Sequence, residues 1–372
     1  MPIEPFGIER FFARHEFTTP HLLGVSDCES LSVGDLLELE AGAGEGLKDL
    51  RLGYTESEGG TELRQAIAAT YTGLGPEHIL VHAAGVEVIF ALAHAVLGKG
   101  DHAIVQTPCY QILRSAPAMT GAEVSLWAGK PEDDWAPDPR ELARLIRPET
   151  RLIVINTPHN PTGHQFSRED LQWLLNLGEE RGILILVDEA YRGAEYDPAD
   201  RLPSAAELSE SACSLGLLSK GYGLPGLRVA WLATRNHKVR EAVSVFKDYT
   251  TICSPGPSEF LGALALRHSD VLLQRTRERL NRNLSLLEIF MDKYDGVFDW
   301  VRPNAGPITF PRLRSGSAAD LSARLREEAG VLVVPGGLFD TDVEAIRIGF
   351  GRAGFPEGLE VMDHWMEKQL DG

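Results

Sequence analysis

Leu218-Ser219-Lys220-Gly221-Tyr222-Gly223-Leu224-Pro225-Gly226-Leu227-Arg228 lies between two apolar runs, Cys213 to Leu218 and Val229 to Ala233, that read as short buried strands. A lysine between two such strands is costly unless its charge is paired or its amine is used chemically. The Gly-x-Gly-x-Pro-Gly run lets the backbone turn sharply and approach a ligand closely. Arg228 enters the next strand eight positions after Lys220, placed to fork onto an anion. Alone, the stretch also fits a surface turn, so its meaning depends on the chain around it.

Working outward, short β-rich runs alternate with helical patterns from Ile79 onward. The predicted strands are Ile79–His82, Ala103–Gln106, Ala122–Leu126, Leu152–Asn156, Ile183–Val187, Cys213–Leu218 and Val229–Ala233, with helices such as Val86–Leu97 and Glu169–Arg181 between them. That alternation predicts a largely parallel sheet with helices on both faces, whose ligands bind beyond the strand ends. Beyond about residue 270 the pattern changes. A long charged helix, Leu273–Lys293, precedes strand-like Ile308–Phe310, Val331–Val334 and Ile346–Phe350. These read as a smaller α+β domain completed by the N-terminal segment.

Chemistry-bearing residues fall at the predicted strand ends. Ala84-Gly85-Val86-Glu87 opens a helix, whose free N–H groups and dipole suit a phosphate. Pro108-Cys109-Tyr110 puts an aromatic ring at a loop tip. Asn156-Thr157-Pro158-His159-Asn160-Pro161-Thr162-Gly163 is a loop stiffened by two X-Pro bonds, which holds the Asn160 amide firmly enough to bond a fixed group. Asp188 ends the apolar run Ile183–Val187, where a carboxylate is costly unless it faces a cation. Tyr191 follows three residues later, and the alternative reading is an N-cap Asp with a core Tyr. Arg347 lies within the apolar strand Ile346–Phe350 and therefore calls for an anion, whereas Arg352 lies past the run and reads as solvated. Thr61 reads as the cap of a helix whose apolar face is Leu63, Ile67 and Tyr71, and Tyr54 by itself reads as core.

Together these segments resemble the class I/II aminotransferases, pyridoxal-phosphate enzymes of fold type I. The resemblance rests on Tyr54 with the Gly60-to-Ile67 segment, Asn156–Gly163, Asp188 with Tyr191, Lys220 with Arg228, and the Pro335-Gly336 and Arg347 segments. The intervals match too: 28 residues from Asn160 to Asp188, 3 from Asp188 to Tyr191 and 8 from Lys220 to Arg228. The resemblance implies a mostly parallel mixed sheet in a large three-layer domain over 46–265, with a small α+β domain built from 1–45 and 266–372. It implies pyridoxal 5'-phosphate bonded to Lys220, which also shuttles the substrate's proton. Gly85, Val86, Ser219 and Arg228 then hold the phosphate, joined by Tyr54 from a neighbouring subunit. Tyr110 stacks on the ring, Asp188 pairs with its nitrogen, and Asn160 and Tyr191 hydrogen-bond its oxygen. Arg347, with Asn160, binds the substrate carboxylate. A homodimer with shared active sites follows.

The chain departs from the family's pattern in places. Leu217 replaces a serine often used for phosphate, and Glu259 stands where many relatives carry Gln. The polar knot Ser26-Asp27-Cys28-Glu29-Ser30 reads either as a turn before a helix starting at Leu31 or as a segment folded over the active site. Lys247–Ser254 occupies the place of a subunit-crossing loop, and its polar residues fall near a substrate side chain.

Composition excludes several other classes. Among 372 residues the net charge is −18, which argues against a nucleic-acid partner. No run approaches the ~20 apolar residues of a membrane span. The four cysteines, Cys28, Cys109, Cys213 and Cys253, are widely spaced without a metal-ligand pattern and read as reduced thiols. With no signal-peptide core near the start, a cytoplasmic enzyme is expected. The expected reaction moves an α-amino group from an amino acid to a 2-oxo acid. The alternatives are a lyase, or a β-replacement or cyclising enzyme of the capreomycidine-synthase kind. A non-catalytic sensor is disfavoured by the charge and by the lack of a helix-turn-helix extension. No second arginine is evident to clamp a dicarboxylate.

Overall fold

The computed structural model describes residues 3–370. A short helix, α1 (Gly7–His15), precedes the main sheet. Seven strands then form that sheet: β1 (Ile79–His82), β2 (His102–Thr107), β3 (Glu123–Ala128), β4 (Thr150–Asn156), β5 (Leu184–Asp188), β6 (Ala212–Leu217) and β7 (Ala230–Thr234). Their spatial order is β1-β7-β6-β5-β4-β2-β3. β7 pairs antiparallel with both neighbours, while the ladders from β6 through β5, β4 and β2 to β3 are parallel. The central strands are buried along nearly all their length, Arg151 near the start of β4 being exposed, as a sheet covered on both faces requires. Two apolar cores flank it. One packs Val88, Leu92 and Leu113 against Val105, Val154 and Leu215; the other packs Leu171 and Leu174 against Ile153, Ile185 and Val187.

The direction of the strands positions the site. β2, β4, β5 and β6 end on one side, and β1, antiparallel to β7, ends there too. Register pairs Asn156 with Asp188 and Asp188 with Leu215 at that edge. Helix α2 (Gly85–Val96) springs directly from the end of β1.

C-terminal segments build a separate core. Three short strands, β8 (Ile308–Thr309), β9 (Val334–Pro335) and β10 (Ile346–Gly349), form an antiparallel sheet with β10 in the centre. The helix Ser269–Lys293 packs its Leu280, Leu284 and Leu287 face against Ile346, Ile348, Phe350 and Phe355. Leu23 and Cys28 join this cluster from the N-terminal segment.

Some expectations are corrected. The run Val331–Val334 is two strands: Val331–Leu332 pairs parallel with His21–Leu22, while Val334–Pro335 pairs antiparallel with β10. The chain changes partner midway, which a continuous apolar run does not reveal. Thr61 is not a cap. The helix Thr61–Ala68 is preceded by Gly60, whose N–H donates to Glu259 Oε2 at 2.9 Å, and the Thr61 hydroxyl turns to Glu56. Arg228 precedes β7 in a left-handed turn (φ 52°), so it projects from a loop rather than from the strand.

Candidate active site

The strand ends and the small sheet enclose one cavity of about 810 Å³. Lys220, Ser219 and Arg228 line it from the loop after β6, Asp188 and Tyr191 from β5 and its turn, and Asn160 from the loop after β4. Tyr110 comes from the segment after β2, Gly85 and Val86 from the start of α2, and Arg347 from β10. Nine of the ten cofactor residues expected from sequence, with the substrate residue Arg347, therefore share one space. Tyr54 stands apart. It is 94% exposed, which overturns its reading as a core residue.

Two glycines permit this assembly. At Gly223 (φ +67°) an added Cβ would meet the Glu29 carbonyl oxygen at 2.3 Å, so the lysine loop fits beneath the Ser26–Ser30 knot only with glycine. At Gly163 (φ +73°) a Cβ would meet Pro303 Cβ at 2.4 Å and the Ile308 carbonyl at 2.7 Å, closing the Asn160 loop against the small sheet.

Asn160 is held at both ends. Its N–H donates to Asn156 Oδ1 at 2.6 Å, and its own Oδ1 accepts from Arg347 Nη1 at 3.0 Å. Asn156 in turn donates through Nδ2 to the Asp188 carbonyl at 2.8 Å, tying two strand ends together. Asn156 itself was not expected as a positioning residue, although the loop sequence contains it. Asp188 is 7% exposed, and its Oδ1 accepts from the Ala190 N–H at 3.0 Å. Burial pushes its carboxyl up to about 6, and the Ala190 N–H bond and the Lys220 charge only partly oppose this. Tyr191 is 2% exposed, with Lys220 Nζ 5.9 Å from its ring centre.

Lys220 Nζ donates to Ser26 Oγ at 2.7 Å. Burial pulls the amine below the ordinary lysine range; Asp27 opposes this and Arg347 adds to it. The knot therefore does fold over the site, while a capping box at Ser32 starts the helix Val33–Leu37 just beyond it. Arg347 is 1% exposed. Its Nε and Nη2 donate to the Gly24 carbonyl at 3.2 and 2.7 Å, and no carboxylate among the described residues hydrogen-bonds it. Burial lowers its proton affinity from the usual arginine value. Arg352, expected to be solvated, instead grips Asp27 with two hydrogen bonds of 3.0 and 2.8 Å. The knot brings Asp27 back to the chain just beyond β10, a long-range approach that the local pattern around Arg352 cannot signal.

Tyr110 lines the cavity, but its hydroxyl donates to Glu9 Oε1 at 2.6 Å and its ring packs on Phe6 at 5.0 Å. The Lys247–Ser254 segment is tied to the cavity edge rather than open. Thr250 and Thr251 donate to Glu87 Oε1 at 2.6 and 2.7 Å, and Lys247 is buried, donating to the Ser57 and Ile252 carbonyls at 2.7 Å each. Burial raises the Glu87 carboxyl, but the His82 ring 3.5 Å away and hydrogen bonds from Thr250 and Thr251 outweigh it and bring it down to about 2. Sequence reasoning missed Glu9, Phe12 and Glu16, which α1 and its end bring to the cavity wall.

A lysine, a buried carboxyl, a fixed amide and a buried arginine around one cavity at the carboxyl end of a mixed α/β sheet define a fold-type-I site. The chain belongs to the family Aminotransferase class I and II, which it matches over residues 23–360. It is a pyridoxal-phosphate-dependent aminotransferase. It is 34% identical to capreomycidine synthase of Streptomyces vinaceus over 79% of this chain and 75% of that one. The structure is similar to a PLP-dependent aminotransferase from Streptococcus suis (TM-score 0.93, 31% identity, 99% of each chain). It is also similar to the PLP-dependent cyclase OrfR (TM-score 0.90, 26% identity, 99% of this chain and 98% of that one).

The residues present fit pyridoxal phosphate. Asp188 is a buried carboxyl with no cationic hydrogen-bond partner among the described residues, a partner that a protonated ring nitrogen would supply. A Cβ at Gly85 would lie 3.0 Å from Leu217 Cδ2, so α2 starts tight against β6 with Gly85 and Val86 of its first turn on the cavity wall, where a helix N-terminus suits a phosphate.

Proposed function

We propose that this cavity binds an α-amino acid beside pyridoxal phosphate, with each lining residue in a defined role. The observation that carries the reading is a pair of buried ionisable groups, Asp188 and Arg347, neither of which hydrogen-bonds an oppositely charged side chain among the described residues, both facing the cavity that holds Lys220. When bound, the cofactor supplies an electron sink for the pair left at the substrate α-carbon. Lys220 bonds the cofactor and, once released, takes the α-proton and returns it. Asp188 keeps the ring nitrogen protonated, and Tyr191 and Asn160 hydrogen-bond the ring oxygen. Tyr110 lies against the ring. Gly85, Val86, Ser219 and Arg228 hold the phosphate, and Arg347 forks onto the substrate carboxylate with Asn160 beside it.

We infer further that the enzyme is a homodimer in which Tyr54 completes the partner's phosphate site. In support, Tyr54, Leu52 and Tyr249 are all exposed on one subunit, an arrangement that association would cover. The four free cysteines support a cytoplasmic location. The division into a large domain over 46–265 and a small domain from 1–45 and 266–372 is supported by the joint packing of Leu23 and Cys28 with the C-terminal segments.

Borohydride reduction followed by peptide mapping tests the central claim. The cofactor should be fixed on a peptide containing Lys220, and a label on another lysine would refute it. A second reading, elimination, replacement or cyclisation on the same residues, is favoured by the likeness to capreomycidine synthase and to a cyclase. Single-turnover analysis separates the two. Transamination yields one equivalent of 2-oxo acid with the nitrogen retained on the enzyme, whereas elimination releases ammonia and cyclisation yields a ring product.

A further inference from the structure

We propose that one buried water braces the cofactor site from behind, and that Glu189, Arg192 and Gln165 hold it and act through it as positioning residues; this rests on the roles proposed for Asp188, Tyr191 and Asn160. Asp188 closes β5 and Glu189 follows it, so their side chains leave the chain on opposite sides. Asp188 enters the large cavity. Glu189 enters a second one of about 10 Å³, lined also by Thr157, Gln165, Arg192 and Glu195, and by Leu171 of the opposite core. That volume has room for one water.

The polar atoms around this small cavity are left over in complementary kinds. Glu189 is 6% exposed. Its Oε1 accepts from Ser204 Oγ at 2.9 Å, Ser214 Oγ at 2.8 Å and the Ala205 N–H at 2.8 Å, while its Oε2 has no partner among the described residues. Gln165 donates through Nε2 to the Asp200 carbonyl at 2.7 Å, which fixes the amide's orientation and leaves Oε1 buried without a partner. Arg192 spends its terminal nitrogens on the Thr70 carbonyl at 3.5 Å and Glu207 at 3.8 Å, and its buried Nε has no partner either. Glu195 is satisfied by the Gly193 N–H and by Arg201 at 3.4 Å. Burial raises the Glu189 carboxyl and the Arg192 charge leads the opposition, although the ion pair of Arg192 is with Glu207. Two acceptors and one donor remain.

A water supplies what all three need. It donates to Glu189 Oε2 and Gln165 Oε1 and accepts from Arg192 Nε, three bonds in all, the usual number for a buried water. A metal cation would satisfy the two oxygens but leave the guanidinium N–H facing positive charge. An apolar filling would strand all three groups. The holders come from two loops whose other faces carry cofactor residues. Glu189 and Arg192 sit beside Asp188 and Tyr191, and Gln165 follows the proline-stiffened loop of Asn160, where the Thr157 N–H already donates to the Asp188 carbonyl at 3.0 Å. The bridge therefore sets the separation between the carboxyl at the ring nitrogen and the amide at the ring oxygen.

A crystal structure of the holoenzyme should show one water within about 3.2 Å of Glu189 Oε2, Gln165 Oε1 and Arg192 Nε. Gln165→Met removes one acceptor at similar volume. The near-visible circular dichroism of the bound cofactor, which reads the orientation of its ring, should lose amplitude in this variant. Its dissociation constant for pyridoxal phosphate should rise by about threefold to tenfold. Gln165→Glu, which keeps an oxygen acceptor, should restore both. Glu189→Gln carries the same dichroism test should Gln165→Met fail to fold. An empty cavity, or direct contact between Glu189 and Arg192, would overturn the proposal. So would a lowered denaturant midpoint of the cofactor-free variant with unchanged dichroism, since the water would then be structural only. If borohydride fixes the cofactor on Lys220 and no water bridges the three atoms, this proposal falls and the cofactor assignment stands.

Discussion

Ser26 Oγ accepts a 2.7 Å hydrogen bond from Lys220 Nζ, across 194 residues of chain. An acceptor on a buried ammonium favours the charged form, opposing the burial that lowers this amine. Removing the hydroxyl in Ser26→Ala should therefore lower the apparent pKa of Lys220 further, since an acceptor that favours the charged amine is lost. The pH dependence of Lys220 acylation in cofactor-free enzyme measures this directly. Ser26→Thr, which keeps a hydroxyl, should restore most of the shift; equal pKa values in wild type and Ser26→Ala would remove Ser26 from any role in tuning the lysine.

Asp188 gives a pH signature with a definite sign. Its folded value of about 6 exceeds the ordinary 3.8, so without the cofactor the folded state holds the proton more tightly. Stability of the cofactor-free enzyme should then fall as pH rises from 4 to 6. Asp188→Asn should abolish that fall, leaving the variant more stable above pH 6 by up to about 3 kcal/mol. Denaturant unfolding at pH 4 and pH 7 checks it, and parallel curves for the two proteins would count against a strained carboxyl. In the loaded enzyme the same substitution should leave cofactor binding detectable while lowering turnover by about a hundredfold or more, because the lost group stabilises charge in the ring.

Arg347 joins substrate recognition to the N-terminal segment through its two bonds to the Gly24 carbonyl. Arg347→Lys keeps the charge but loses the fork. KM for the amino acid should rise by about tenfold or more, with a smaller change in kcat. Steady-state kinetics on any accepted donor would reveal the split, and a pure kcat effect would assign Arg347 to the chemical step instead.

The exposed Tyr54 leads to a complementation experiment. Lys220→Ala and Tyr54→Ala subunits, each crippled alone, should regain activity when mixed and allowed to exchange. Both lesions fall in one site of the hybrid, so the other site is intact and half the hybrid's sites should work. Verified exchange without recovery would mean that Tyr54 serves only its own subunit.

Much of the site was legible because cofactor chemistry demands particular residues at strand ends, and strand ends are visible as the edges of apolar runs. Asp188 after Ile183–Val187 and Asn160 within a proline-stiffened loop are examples. Arg347 was legible because a charge inside an apolar strand must have a use. What escaped depends on distant approach. Nothing near Arg352 announces Asp27, and nothing near Glu9 announces the cavity, since α1 is a short amphipathic helix whose inward face is fixed only by packing. The split of Val331–Val334 between two sheets was hidden for the same reason: burial looks alike whichever strand lies beside it.

Within one subunit the residues proposed to hold the cofactor come from positions 85 to 228, whereas α1 and the knot occupy the first thirty positions. Catalytic machinery and substrate wall are thus written in separate stretches of the gene. Substitutions in the opening codons therefore reshape one wall of the cavity, and at Ser26 they also reach Lys220 through its hydrogen bond.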